Sequence, residues 1–265
     1  MTIASLIQSA LAAELALAAI MAGAWATQRA SGQTGWIDAI WTFGVGATGA
    51  ALALAPLGVS GASDWRRAAI AGAAALWSAR LGLHIVARTR KAPDDPRYRK
   101  LIEEWGAVAP RRLFQFLQAQ ALVGAALALA VALAAQAPSP SWRAQDWAGL
   151  LIFAGALLGE SCADAQLARF RANPANRGGV CDVGLWRRSR HPNYFFEWLV
   201  WVAFAVVAID RDGASWAAAL APLLMYATLR YASGVPPLED HLKRTRGERF
   251  AAYQARTPIF FPRLF

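Results

Sequence analysis

The chain has 265 residues, 57% of them hydrophobic, with a mean hydropathy of +0.30 and a formal net charge of +10. Soluble domains carry roughly 45–50% apolar residues, so the composition excludes an ordinary soluble globular domain and implies an integral membrane protein. Two cysteines, Cys162 and Cys181, are too few for a disulfide framework, and three scattered histidines (His84, His191, His241) offer no metal site.

A membrane-crossing helix needs about 20 apolar residues. Seven segments qualify, near 3–27, 36–59, 68–87, 113–136, 147–168, 193–210 and 214–233. The expected fold is therefore all-α, one polytopic bundle of about seven transmembrane helices over residues 1–265. Residues 1–28 hold no Lys or Arg, so the first segment lacks the basic start of a cleavable signal and is taken as a span. Several spans are rich in Ala and Gly, which suits close helix packing in lipid. Short outer turns are expected at Ser60–Asp64, Ala137–Asp146 and Asp210–Ser215. Trp36, Trp41, Trp142, Trp147 and Trp216 stand near span ends as interfacial anchors. The tail from Pro236 to Phe265 mixes charge with apolar side chains and is expected to form an amphipathic cap.

Lys and Arg fix the orientation. With the N-terminus outside, the inner segments hold Arg29, eight residues in 88–112, six in 169–190 and six in 243–263, twenty-one in all. The outer loops hold four: Arg66, Arg67, Arg143 and Arg211. Basic residues collect on the cytoplasmic side of membrane proteins, so the chain is expected to run N-out and C-in. The same bias accounts for the net charge without a nucleic-acid partner. Membrane lipid is the expected neighbour.

Ionisable groups inside apolar helices mark the candidate chemistry. Asp38 on span two and Arg80 with His84 on span three form either a structural ion pair or part of a substrate cavity. Glu160 and Asp164 sit one turn apart at the inner end of span five, before Arg169 and Arg171. They either answer nearby arginines or face a polar cavity. The loop from Ala172 to Pro192 joins Gly178, Gly179 and Gly184 to Arg177, Arg187, Arg188 and Arg190, a composition that lets amides and guanidinium groups approach phosphates. No GxGxxG follows a strand, which excludes a Rossmann site. Asn193 and Glu197, four residues apart, share one face at the start of span six. Tyr194, Tyr226 and Tyr231 are either interfacial or donors to a carbonyl substrate, and Arg230 ends span seven.

The run Gly184-Leu185-Trp186-Arg187-Arg188-Ser189-Arg190-His191-Pro192-Asn193-Tyr194, with Glu197 beyond it, resembles the bacterial DUF1295 group, which is related to the steroid 5-alpha-reductases. The likeness continues through Ser233-Gly234-Val235-Pro236, Leu238-Glu239 and Tyr253-Gln254-Ala255-Arg256-Thr257. It implies a seven-helix bundle in the inner membrane of a bacterium, with cytoplasmic loops closing over NADPH. It further implies hydride transfer to a C=C bond conjugated to a carbonyl in a lipophilic substrate. Asp164 and Arg171 match the reductases' cofactor pair, and Asn193 and Glu197 match their nicotinamide-side pair. Arg230 fits more loosely. By the same likeness Glu160, Arg177, Arg187, Arg190, Tyr194 and Glu239 belong to the cofactor site. Two departures stand out: Glu160 replaces an Asn, and Ile85 falls where the reductases place the Tyr that meets the substrate ketone. His84, Tyr226 or Tyr231, with Asp38 as the nearest acid, would have to supply that role.

Arg190-His191-Pro192-x-Tyr194 is also similar to the isoprenylcysteine and phospholipid methyltransferases, which bind S-adenosylmethionine. Their helix usually opens His-Pro-x-Tyr-x-Gly, whereas Phe196 takes the Gly position here. A third reading is a lipid-binding bundle without catalysis.

Overall fold

The computed structural model describes residues 2–57, 63–92, 94–139, 141–210 and 213–263. Among these, every regular element is helical: α1 (Ile3–Ser31), α2 (Trp36–Leu54), α3 (Asp64–Lys91), α4 (Pro96–Trp105), α5 (Ala109–Ala135), α6 (Ala144–Ala172), α7 (Leu185–Arg188), α8 (Pro192–Ala208), α9 (Leu220–Ala227), α10 (Val235–Arg246) and α11 (Glu248–Arg256). The expected turns at 60–64, 137–146 and 210–215 (with Arg211), the last residues of the span expected at 36–59 and the final two residues of the tail lie partly or wholly outside the described residues.

Among the described residues five helices are long and apolar enough to cross a membrane: α1, α2, α3, the continuous path Pro96–Ala135 through α4 and α5, and α6. The two remaining expected spans take a different form. Helix α8 has 17 residues, about 25 Å at 1.5 Å per residue, a little short of a hydrocarbon core of roughly 30 Å. The segment expected at 214–233 is broken into a 3₁₀ stretch (Gly213–Ala219), α9 and a π-helical turn (Thr228–Ala232). The expected loop 88–112 also folds further than expected. Asp95 caps α4 by accepting from the Arg97 amide at 2.9 Å, and Pro96 sits in its first turn, the arrangement that starts helices.

The chain divides into two compact units, Met1–Gly149 with Phe204–Ala221, and Leu150–Ala203 with Pro222–Phe265. In the first, α1, α2, α3 and α5 pack on one another. Helix α1 buries one stripe, Ser9, Ala13, Leu17, Met21 and Ala24, and leaves Ile3, Ile7, Leu11 and Leu15 exposed. That division is what a lipid-facing helix requires, because lipid removes the hydrophobic drive and leaves packing and interhelical hydrogen bonds to hold the bundle. Gly46 lets α2 meet α3: a Cβ there would lie 2.2 Å from the Ser78 Cβ.

Hydrogen bonds stitch the same helices. Ser78 Oγ donates to the Thr42 carbonyl at 3.1 Å, Trp25 Nε1 to Pro110 at 2.9 Å and Gln136 Nε2 to Ala55 at 3.0 Å. Trp41 Nε1 donates to the Gln120 carbonyl at 3.0 Å, so this residue ties two helices together, which goes beyond an interfacial anchor. Trp147 and Trp216 are 58% and 60% exposed.

The first unit uses its charges internally. Arg66, counted as an outer-loop residue from sequence, is buried and bonds Asp146 at 2.6 Å, where Arg143 joins at 2.9 Å. Asp38 does not pair with Arg80 as expected. Its partners are the Arg97 guanidinium and the Tyr98 hydroxyl, the latter at 2.7 Å, and both lie on α4. The reason is topological: α4 folds back onto the start of α2, with Asp95 receiving Arg88 at 3.2 Å and Thr34 Oγ1 accepting from the Asp95 amide at 2.8 Å.

Candidate functional site

The second unit is assembled around the end of α6. Gly159 allows α8 to close on α6, since a Cβ there would sit 2.3 Å from the Phe196 ring. The following loop is pinned at both ends. Asn176 Nδ2 donates to the Phe170 carbonyl at 2.9 Å, and Trp186 Nε1 donates to the Ala163 carbonyl at 2.9 Å. Gly184 has φ +56° and lies against the Gln166 amide, whose Oε1 accepts from the Leu185 amide at 2.9 Å. A side chain at 184 would meet both a left-handed backbone and that amide.

The tail completes the unit. Arg190 N–H donates to the Pro258 carbonyl at 2.9 Å, Ser189 Oγ to Phe260 at 2.8 Å and Arg263 N–H to Arg188 at 3.0 Å. The Tyr253 hydroxyl donates to the Trp186 carbonyl. Glu239, on α10, sits at the centre. Its Oε1 accepts from Arg190 Nε at 2.7 Å and lies 3.1 Å from His191 Nε2, while its Oε2 accepts from Gln254 at 2.8 Å. Burial would raise the Glu239 carboxyl, but the bonds from His191 and Arg190 win and hold it down at about 2. Burial pushes His191 below its ordinary value against the opposing pull of Glu239. Burial likewise raises the Cys181 thiol and the Tyr253 hydroxyl.

These elements enclose a cavity of about 280 Å³, close to the lower end of ligand pockets at roughly 300 Å³. Its wall carries Arg171, Arg177, Arg190 and Arg246, the backbone of Gly178 and Gly179, and the side chains of His191, Trp186 and Tyr253. Among the described residues no Asp or Glu is part of the wall. Such a space suits an anionic ligand.

Of the residues expected at a cofactor site, Arg171, Arg177 and Arg190 line this cavity. Glu239 stands behind Arg190 and His191, and Tyr194 stacks on His191 at 5.4 Å with planes 9° apart. Asn193 Nδ2 reaches Asp164 at 3.5 Å, and Glu197 is buried and accepts from Trp201 at 3.0 Å. Glu160 is buried on α6, Arg187 bonds the Asp182 carbonyl at 3.3 Å, and Arg230 lies 4.9 Å over the Tyr231 ring. Tyr226 belongs to an aromatic cluster with Phe260 at 5.0 Å and Trp198 at 6.4 Å, and Tyr231 is 65% exposed. His84 is exposed and, like Asp38, belongs to the first unit.

His191, Tyr253 and Arg246 are among the wall residues that were not expected at the site. His191 could have been found from the Arg-His-Pro triplet it completes. Tyr253 could have been found as the buried face of an otherwise charged tail. Arg246 carried no signal, because Lys243, Arg244 and Arg246 look like any basic run beside a membrane. Among the described residues no group of three or more His, Cys, Asp or Glu is placed to hold a metal.

No curated protein and no solved structure matches the chain. One protein-family model does, that of a protein of unknown function, DUF1295, over residues 24–257. That match covers all the helices from α2 to α11 and the whole wall of the cavity, so the chain belongs to the DUF1295 family.

Proposed function

We propose that the protein is a membrane-embedded, NADPH-dependent reductase of a C=C bond conjugated to a carbonyl in a lipophilic substrate, similar to the steroid 5-alpha-reductases. The observation that carries this reading is the cavity wall of four arginines and two glycines without a carboxylate. NADPH brings phosphates that such a wall would bind. S-adenosylmethionine brings a sulfonium, a single carboxylate and no phosphate, and the nearby carboxylates Glu239 and Asp182 are already taken, the first by Arg190 and His191 and the second by Arg256. The wall therefore favours the reductase reading over the methyltransferase.

In this assignment Arg171, Arg177 and Arg246 hold phosphates, and Asn193 and Glu197 hold the nicotinamide end. The bound cofactor supplies a hydride for the electron-poor carbon of the substrate. A donor at the carbonyl oxygen, from His84, Tyr226 or Tyr231, stabilises the developing enolate. The bundle crosses the inner membrane seven times, with α8 and the segment from Gly213 to Ala232 as the sixth and seventh crossings. It runs N-out and C-in, which twenty-one basic residues on one side against four on the other support.

The test is titration of purified protein with NADPH and, separately, with S-adenosylmethionine, read by melting temperature and tryptophan fluorescence. Saturation and stabilisation by NADPH alone are expected. Saturation by S-adenosylmethionine alone would move the protein to the methyltransferases, and a response to neither would leave a lipid-binding bundle.

A further inference from the structure

Two side chains of the cavity wall, His191 and Arg246, carry a buried nitrogen without a hydrogen-bond partner among the described residues, and His191 is the deeper of the two. His191 is 1% exposed and lines the cavity. The His191 Nε2 is bound to Glu239, its ring is stacked on Tyr194, and its Nδ1 has no hydrogen-bond partner among the described residues.

The tautomer follows from the partner. Glu239 receives Arg190, Gln254 and His191 together, and these donors keep it ionised. An ionised carboxylate can only accept. His191 Nε2 must then carry the hydrogen, and Nδ1 presents a lone pair. Burial opposes a second proton on the ring, so the lone pair persists at neutral pH. A buried acceptor without a donor is costly, and the residue that carries it is part of the wall that the arginines line.

Inorganic phosphate would satisfy those arginines but would leave Nδ1 empty, because phosphate at neutral pH brings mainly acceptors. A ribose phosphate brings both kinds of group. We infer that His191 Nδ1 accepts a hydrogen bond from a ribose hydroxyl of the bound nucleotide while Arg177 and Arg246 take its phosphate oxygens. This rests on the nucleotide-cofactor reading and adds to it a specificity-determining residue. His191 selects a phosphate carried on a sugar over a bare phosphate or diphosphate.

Two substitutions separate the two nitrogens of the ring. The amide of glutamine falls near Nε2, so His191→Gln keeps the link to Glu239 and loses the acceptor facing the ligand. The amide of asparagine falls near Nδ1, so His191→Asn keeps that acceptor and loses the link. His191→Gln is expected to melt close to the wild type and to bind NADPH about tenfold or more weakly. His191→Asn is expected to melt earlier and to hold NADPH within about threefold. Parallel losses of stability and affinity in both variants would reduce His191 to a structural residue and overturn the inference.

A measurement on the unaltered protein gives a second arm. With ¹⁵N-histidine labelling, the Nδ1 resonance of His191, identified by its loss in His191→Gln, should move when NADPH is added and stay in place with inorganic pyrophosphate. NADPH saturation with an unmoved resonance would overturn this inference and leave the cofactor reading standing. Failure of NADPH to saturate would remove the cofactor reading, and this inference with it.

Discussion

The two units of the chain treat their arginines in opposite ways. In the first, Arg66 closes on Asp146, Arg143 shares the same carboxylate, and Arg97 is taken by Asp38 and Asp95. Each of these guanidinium groups ends on a carboxylate of its own unit, and the links of Arg66 to Asp146 and of Arg97 to Asp38 tie one helix to another. In the second unit Arg190 closes on Glu239, but the space beside it is also lined by Arg177 and Arg246, with no carboxylate among the described residues of the wall. Ionic groups that close on one another hold helices together. Groups that border a space instead create demand for a ligand of opposite charge. The comparison separates residues that support the bundle from those that equip the site, and each can be removed to test the division.

The largest effect is expected where a closed pair is broken. Arg66 and Asp146 are 1% and 0% exposed at their side chains, and removing one partner of a buried pair typically costs about 3–5 kcal/mol. Arg66→Ala should lower the melting temperature sharply, and the fraction that remains folded should bind NADPH as the wild type does. Weakened binding by folded Arg66→Ala protein would break the division between supporting and equipping charges. A smaller loss is expected at the α6–α8 contact. Gly159→Ala adds a methyl against the Phe196 ring, and overpacking of this kind costs about 1–3 kcal/mol. In a Phe196→Ala background the same change should be nearly free, and a denaturation-based double-mutant cycle would measure the difference.

What could be read from sequence follows the range of the interactions. Five of the spans announce themselves through the length of their apolar runs, whereas α4, expected as loop, leaves only a local mark in Asp95-Pro96, a cap followed by the residue that best starts a helix. The breaks in Gly213–Ala232 were hidden because an apolar run with one Pro and small residues looks like an ordinary span. Arg171, Arg177 and Arg190 could be anticipated because glycines and arginines crowd into one short loop. Asp38 with Arg97, and Arg190 with Glu239, could not be anticipated as pairs. Their partners lie 59 and 49 residues apart, and only the fold brings them together.

The closed part of the second unit should show itself through pH. Glu239 has its pKa depressed to about 2 from 4.5, so its stabilising contribution is complete above about 4.5 and is lost as pH falls through the folded value. His191 is also lowered, from 6.5. The unfolded chain therefore takes up its proton first, and stability declines as pH drops below about 6.5. The Glu239 part of this loss is on the order of 2 kcal/mol by pH 3. Melting temperature should fall between pH 7 and pH 3, with His191→Gln removing the upper part of the slope and Glu239→Gln the lower part. A flat profile in the wild type would show that the Glu239 cluster contributes nothing to holding the unit closed.

The smallest expected change in stability is the most informative for function. Arg177 is exposed on the loop after α6, and Arg246 ends α10. Exposed charges of this kind contribute about 0–1 kcal/mol to folding, so Arg177→Ala should melt within a degree or two of the wild type. A guanidinium that meets a phosphate in a half-enclosed wall supplies a charge-assisted hydrogen bond of about 1.5–3 kcal/mol. Arg177→Ala should therefore weaken NADPH binding by about tenfold or more, with a steeper loss at low salt than at high salt, where the remaining charges are screened. Arg177→Lys should recover part of the affinity, because it restores the charge without the fork that grips two oxygens at once. A variant that loses stability but keeps its affinity for NADPH would place Arg177 with Arg66, among the charges that hold the protein together, and would leave the cavity without its phosphate.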